Sequence, residues 1–193
     1  MSRRRARALA GVAGPAAFVA TWAYLSATTR GYSPVREPVS HLAAARTRTQ
    51  PMMTAGLVVL GGGVAVYSGE LRRALPGPAG TAALVTAVAT IGIAATPMES
   101  SVGGTPHVVA AGLTYASLAA TPLLASRSLS AQHRRGGTVS AMAGYAAGTC
   151  LAVSATTKSR TGLWQRLGLT VGHAWIAASA LWLARNRSFA ATD

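Results

Sequence analysis

The side chains able to do chemistry are few. The 193-residue chain has four histidines and four acids. Three of the histidines, His41, His107 and His173, and two of the acids, Glu37 and Glu99, fall in or beside segments expected at one end of a helix bundle. Histidine with carboxylate is the usual ligand set for zinc. A zinc ion held by His41, His107 and His173 would leave Glu99 to bind or orient a metal-activated water. No H-x-x-x-H or H-E-x-x-H spacing places two ligands on one helix face, so the competing reading is structural. In it, His41 and His107 are hydrated at an interface and His173 donates a hydrogen bond to a neighbouring helix. Ser40 and Glu99 are the candidate catalytic groups, although Ser40 sits in no strand–turn–helix elbow. Asp193, the single aspartate, lies too far along the chain to complete a Ser-His-Asp triad within the bundle. Arg36 and Arg166 stand beside these groups and, with His173, could contact an anionic part of a ligand. Arg166, Thr170 and His173 follow i, i+4, i+7 and predict one polar helix stripe; His107, Thr114, Ser117 and Thr121 predict another.

The elements that must position these groups are apolar helices. The chain holds 18 Lys and Arg against four acids, a formal net charge of +14, yet only 11% of its residues are charged and 50% are hydrophobic. Mean hydropathy is +0.34. Intrinsic disorder needs low hydrophobicity with high net charge, and is excluded. Cys150 has no intrachain partner for a disulfide framework. Six uncharged runs, each at or above about 18 residues, predict membrane-spanning helices. They are placed at residues 8–29, 51–69, 79–98, 107–126, 138–157 and 167–184, within a single polytopic domain over 1–193. A soluble bundle of Ala-rich helices would need a charged face toward water, and none of these runs has one. The expected fold is therefore an all-α membrane protein, a bundle of six transmembrane helices. The positive charges are divided among short segments between spans, which argues against a nucleic-acid patch and for contact with membrane lipid.

Charge asymmetry predicts orientation. Eleven arginines fall in the two tails and the second and fourth loops, and seven basic residues fall in the first and fifth loops, with none in the third. The positive-inside rule then puts both termini in the cytoplasm. Trp164 and Trp182, about 27 Å apart along a helix, bracket the sixth span. The basic start, apolar stretch and Ser26-Ala27-Thr28 also fit a signal peptide, but the stretch exceeds the usual core of about 7–15 residues, favouring an uncleaved first helix. The first loop, Arg30–Gln50, is unusually long and predicts a short interfacial helix over Val39–Arg46. Gly144 and Gly148, and Gly168 and Gly172, stand at small-xxx-small spacing, which suits close helix approach. Gly61-Gly62-Gly63 is expected either to serve similarly or to weaken the second helix. Pro15 and Pro122 are expected near helix ends. Cys150 reads as a small buried apolar residue, and His133 as a solvated loop residue.

Several segments at the outer end carry a family likeness. Gly31-Tyr32-Ser33-Pro34, Pro38-Val39-Ser40-His41-Leu42-Ala43-Ala44, and Gln50-Pro51 entering a Gly-rich helix resemble the membrane family catalogued as domain of unknown function 998. His107 opening the fourth helix and Gly162-Leu163-Trp164-Gln165-Arg166 before the sixth strengthen the resemblance. It implies a six-helix integral protein of the bacterial plasma membrane and supplies no reaction. An Asp is expected after the third helix in that family, where Pro97-Met98-Glu99 here offers Glu. Three functions remain open from the residues. One is a module that binds or moves a lipid or small solute through Arg36, Arg166 and His173. Another is a zinc-dependent membrane hydrolase using His41, His107, His173 and Glu99. The third is a structural or assembly partner. Oligomeric state is not encoded in any of these patterns.

Overall fold

A computed structural model describes residues 2–98 and 104–186, and these are all helix, turn and loop. Six helices follow in order: α1 (Arg3–Thr28), α2 (Gln50–Ala74), α3 (Ala79–Ala95), α4 (Thr105–Gln132), α5 (Arg134–Thr156) and α6 (Thr161–Arg185). A short 3-10 turn, Val39–Ala43, lies between α1 and α2. Five of the helices are long and apolar enough to cross a membrane. The remaining one, α3, has 17 residues. It is about 26 Å long, at the lower limit for a span.

Each helix packs on the next, and α6 returns to α1, so the six form a closed ring. Contacts along the seams run in opposite directions. A Cβ on Gly11 would meet Tyr67 and Ala180, one on Gly14 would meet Gly63, and one on Gly56 would meet Thr21. Neighbouring helices are therefore antiparallel, and the start of α1 lies beside the end of α6. The terminal end of the ring carries both chain ends. The opposite, loop end carries the connections α1–α2, α3–α4 and α5–α6.

Helix ends depart from the charge-based boundaries for a consistent reason. Charged residues were expected to stop each span, yet α2 continues through Glu70, Arg72 and Arg73, and α4 continues through Arg127. A helix does not end where lipid ends, because its own hydrogen bonds continue into water. At the terminal end, Glu70 is buried and pairs with Arg73 at 2.7 Å and Arg7 at 3.9 Å. At the loop end, α6 begins six residues earlier than the uncharged run, which places Arg166 inside the helix. Pro15 and Pro122 also lie well inside α1 and α4. The interfacial helix expected over Val39–Arg46 is only the 3-10 turn, followed by turns in which Arg46 adopts a positive φ of 65°.

Small residues make the seams, as van der Waals contact between helices in lipid requires. In the glycine triplet each residue faces a different way. A Cβ on Gly61 would strike Ile91 of α3, while one on Gly63 would lie 2.7 Å from the Ala10 carbonyl and 2.9 Å from Gly14 Cα. Gly62 faces open space. Gly144 and Gly148 both face α4, whereas Gly168 faces α5 and Gly172 faces Leu118 of α4. The first seam yields a direct check. Gly63→Ala should destabilise the protein by about 1–3 kcal/mol through overpacking against backbone. Gly62→Ala should leave stability unchanged or raise it by up to about 1 kcal/mol, from helix propensity. Thermal unfolding in one detergent reads both; equal melting temperatures for the two variants would refute the assignment of faces.

Candidate functional site

The ring is not filled along its whole length. In its loop-end half is a chamber of about 650 Å³ with a predominantly apolar wall. Leu57 and Leu60 of α2, Ile93 of α3, Ala111 of α4 and Leu169 of α6 contribute to that wall. Below it, Leu118 packs on Gly172 across the ring and fills the middle. Exposed residues on α4 (Val108, Gly112) and on α5 (Ala155, Thr156) also belong to the wall, which places the mouth between these helices. The two helices close against each other further down, where a Cβ on Gly144 would meet Leu123 and one on Gly148 would meet Ala119. Lys158, exposed at the end of α5, marks the rim.

Of the polar residues that line this chamber, two on different helices are buried without a hydrogen-bond partner. His173 is 2% exposed, packs edge-on against Phe18 with ring centroids 5.5 Å apart, and has no hydrogen-bond partner at either ring nitrogen. Thr114, one turn above Leu118 on α4, is 4% exposed and its hydroxyl is likewise unpartnered. Because α6 starts at Thr161, His173 lies about 18 Å along the helix, near its middle. The expectation that His173 sits just inside the outer mouth is thus corrected.

The four predicted polar residues of α4 do share one inner face, since His107, Thr114, Ser117 and Thr121 are all buried. The stripe on α6 divides: Arg166 and His173 are buried, and Thr170 is exposed. The metal set is not assembled. Among the described residues no three His, Cys, Asp or Glu side chains gather where they could hold an ion. His41 is exposed and its Nδ1 lies 3.5 Å from Glu37 Oε1. His107 Nδ1 is 2.7 Å from the Thr96 carbonyl at the start of α4. His173 is far down α6. Glu99 lies outside the described residues. Ser40 lines the outer part of the chamber, and Arg36 is exposed on the first loop.

Arg166, expected to contact a ligand, is engaged by the protein itself. Its guanidinium is buried and pairs with no carboxylate among the described residues. Nη1 donates to the carbonyls of Pro34 (2.7 Å), Glu37 (2.9 Å) and Gly162 (3.1 Å), and Nη2 donates to Ser26 Oγ (3.3 Å) and to the Tyr32 hydroxyl. The cation also lies over the rings of Trp22 and Tyr32, at 5.2 and 5.5 Å. Gly162 permits this arrangement, since a Cβ there would collide with the Pro34 and Glu37 carbonyls. Nearby, the Val39 amide donates to Gln165 Oε1 (2.6 Å), Gln165 Nε2 donates to the Tyr115 hydroxyl, and the Leu163 amide donates to the Val35 carbonyl (2.9 Å). Glu37 accepts from the Ser33 amide at 2.6 Å and so turns the loop. The first loop is thereby fastened across the loop end beside the chamber. Sequence reasoning did not single out Gln165 as a functional position; its one signal was its place in the Gly162–Arg166 segment of the family likeness.

Six antiparallel helices with lipid-facing apolar surfaces and a half-open interior define a polytopic integral membrane protein. The chain belongs to the family described as protein of unknown function, DUF998, whose model matches residues 12–182. No curated protein and no solved structure matches it.

Removing the guanidinium would strand several carbonyls at once. Arg166→Ala should cost about 1–3 kcal/mol for each group left unpaired, and Arg166→Lys should rescue little because an ammonium cannot reproduce the planar fork. Hydrogen exchange over residues 32–39 should accelerate in both; unchanged protection would refute the clamp. Burial raises the Tyr32 phenol above its ordinary 10.0, and the hydrogen bond and charge of Arg166 oppose that rise. The folded state therefore holds the phenolic proton more tightly than the unfolded chain does. This stabilisation is intact below pH 10 and lost as pH climbs through the raised value. The difference in melting temperature between the wild type and Tyr32→Phe, followed from about pH 9 to 12, should shrink as alkalinity rises; a constant difference would contradict it.

Proposed function

We propose that this protein is a binding or transport-like module of the bacterial plasma membrane that admits an amphiphile from the surrounding lipid into its loop-end chamber. The proposed orientation has both termini cytoplasmic, so that the chamber serves the outer leaflet, in line with the excess of arginine in the tails and in the second and fourth loops. One observation carries the reading: an apolar chamber of about 650 Å³ whose wall includes exposed residues of both α4 and α5. That volume is within the range of small-molecule sites, about 300–1,000 Å³. A mouth between two lipid-facing helices meets the hydrocarbon region directly, so an apolar ligand can enter without crossing water. Lipid is accordingly the proposed partner. The direct anion contact expected of Arg166 gives way to a positioning role, because its guanidinium is already engaged by backbone carbonyls and by Tyr32.

Gly112 offers a clean test. It borders the chamber and has nothing within 4 Å of a Cβ placed on it. Gly112→Trp should fold normally and project an indole at the mouth. Amphiphile retained by the purified full-length protein, identified and counted by mass spectrometry of solvent extracts, should fall several-fold in this variant at unchanged melting temperature. Equal retention by variant and wild type would overturn the proposal.

A further inference from the structure

The deep end of the chamber specifies more than apolar character. Buried serine and threonine hydroxyls elsewhere in the ring are paired: Thr86 donates to Ser117 Oγ at 2.8 Å, Thr90 to the Thr86 carbonyl at 2.7 Å, Thr121 to the Ser117 carbonyl at 2.8 Å, and Ser140 to the Pro122 carbonyl at 2.7 Å. The bonds of Thr90 and Thr121 run to a carbonyl in the preceding turn, the ordinary way for a helix in lipid to satisfy a hydroxyl, and the other two run between helices. Thr114 has the same option on α4 and does not take it; its hydroxyl is unpartnered beside the chamber. His173 is unpartnered at both nitrogens on the facing helix. The two belong to one place, because Thr114 is one turn from Leu118, His173 follows Gly172, and Leu118 packs on Gly172.

We infer that this end of the chamber reads the head of the amphiphile: a neutral hydroxyl or carbonyl carried on an apolar chain, inserted head-first so that its polar atom meets His173 and Thr114 while the chain extends through the mouth into lipid. This rests on the chamber being an amphiphile site. The chemistry of the walls selects the head. No acid is among the described lining residues and the single cationic one, Lys158, is at the rim. A charged head at the depth of His173 would be desolvated without a counter-ion, which is prohibitive in a membrane interior. A neutral imidazole offers one N–H donor and one lone pair, and a threonine hydroxyl can donate or accept. A ligand hydroxyl can pair with either residue, and a ligand carbonyl can accept from either. A plain hydrocarbon would leave all of these groups unpaired. Phe18 packs edge-on against the His173 ring, with centroids 5.5 Å apart.

The test compares two probes that differ only in the head. Full-length protein in nanodiscs is titrated with hexahydrofarnesol, the saturated alcohol, and with farnesane, the hydrocarbon of the same skeleton, and bound probe is counted by native mass spectrometry against empty nanodiscs. Wild type should favour the alcohol about tenfold, the scale of one or two buried hydrogen bonds. His173→Leu and Thr114→Val should each reduce that preference several-fold while leaving farnesane binding unchanged. Thr114→Val keeps the side chain's shape, so it decides the matter should His173→Leu fold poorly. Equal affinity of wild type for the two probes, or a preference that survives in Thr114→Val, would overturn the head-first reading and leave the chamber intact. Failure of wild type to bind either probe would overturn the amphiphile chamber itself, and this inference with it.

Discussion

A buried guanidinium with no acid paired to it among the described residues governs the loop end of this protein. Arg166 cannot shed its charge, and at its depth it cannot keep a full hydration shell, so its donors must find protein acceptors. The carbonyls of Pro34 and Glu37 and the Tyr32 hydroxyl accept from Nη1 and Nη2, leaving only Nε without a partner, and they come from one segment of the first loop. The loop consequently has one position. Once Arg166 holds it, the Val39 amide comes within reach of Gln165, and Gln165 in turn reaches Tyr115 on α4. Three elements far apart in sequence are tied by one chain of polar contacts, and the outer rim of the chamber is built from their ends.

The rest of the architecture follows from the geometry of a ring. Six helices around a common axis leave a central space that large side chains must fill or that stays open. Toward the terminal end it is filled, by Tyr67, Leu71 and Ile176, all fully buried, with the Tyr67 hydroxyl 2.6 Å from Ser179 Oγ. Toward the loop end the facing side chains on α4 and α5 are small: Ala111, Gly112, Ser154 and Ala155 line the chamber. With no hydrophobic drive pressing helices together inside lipid, nothing forces that half to collapse. Close packing at the glycine seams holds the ring rigid around it, much as a barrel's staves hold its hollow.

The spans were legible because lipid imposes one simple rule, a long run without charge, and six such runs map onto the six helices. Their ends were less legible, since charge marks where the membrane interface falls and says nothing of where hydrogen bonding stops. That distinction misplaced His173: with α6 starting at Thr161 instead of Leu167, the residue moves from the mouth to mid-helix. It also misread Arg166 as a loop charge. Periodicity identified the inner face of α4 correctly, but on α6 it grouped exposed Thr170 with two buried residues, because a spacing rule admits faces up to about 100° wide. The segments around Gly31–Pro34, Pro38–Ala44 and Gly162–Arg166 gave the family likeness without a physical reason. The structure supplies one: the first two dock on the third.

Buried polar atoms without partners are destabilising by about 1–3 kcal/mol each, so a membrane helix bundle optimised only for stability would not keep them beside a void. Leucine at position 173 and valine at 114 would remove the unpaired atoms at little cost in shape. A larger residue at 112 would narrow the opening. The chain retains a small residue, a hydroxyl and an imidazole at these three places, and each departs from what packing alone prefers in the direction that helps admit or hold a polar-headed guest. The Arg166 clamp differs in degree: Nη1 and Nη2 make several contacts, while Nε and the neighbouring Trp22 Nε1 are also buried without a partner. One end of a single bundle thus holds a fastening built on many polar contacts and, a few turns deeper, a chamber whose unpartnered groups have no such contacts around them.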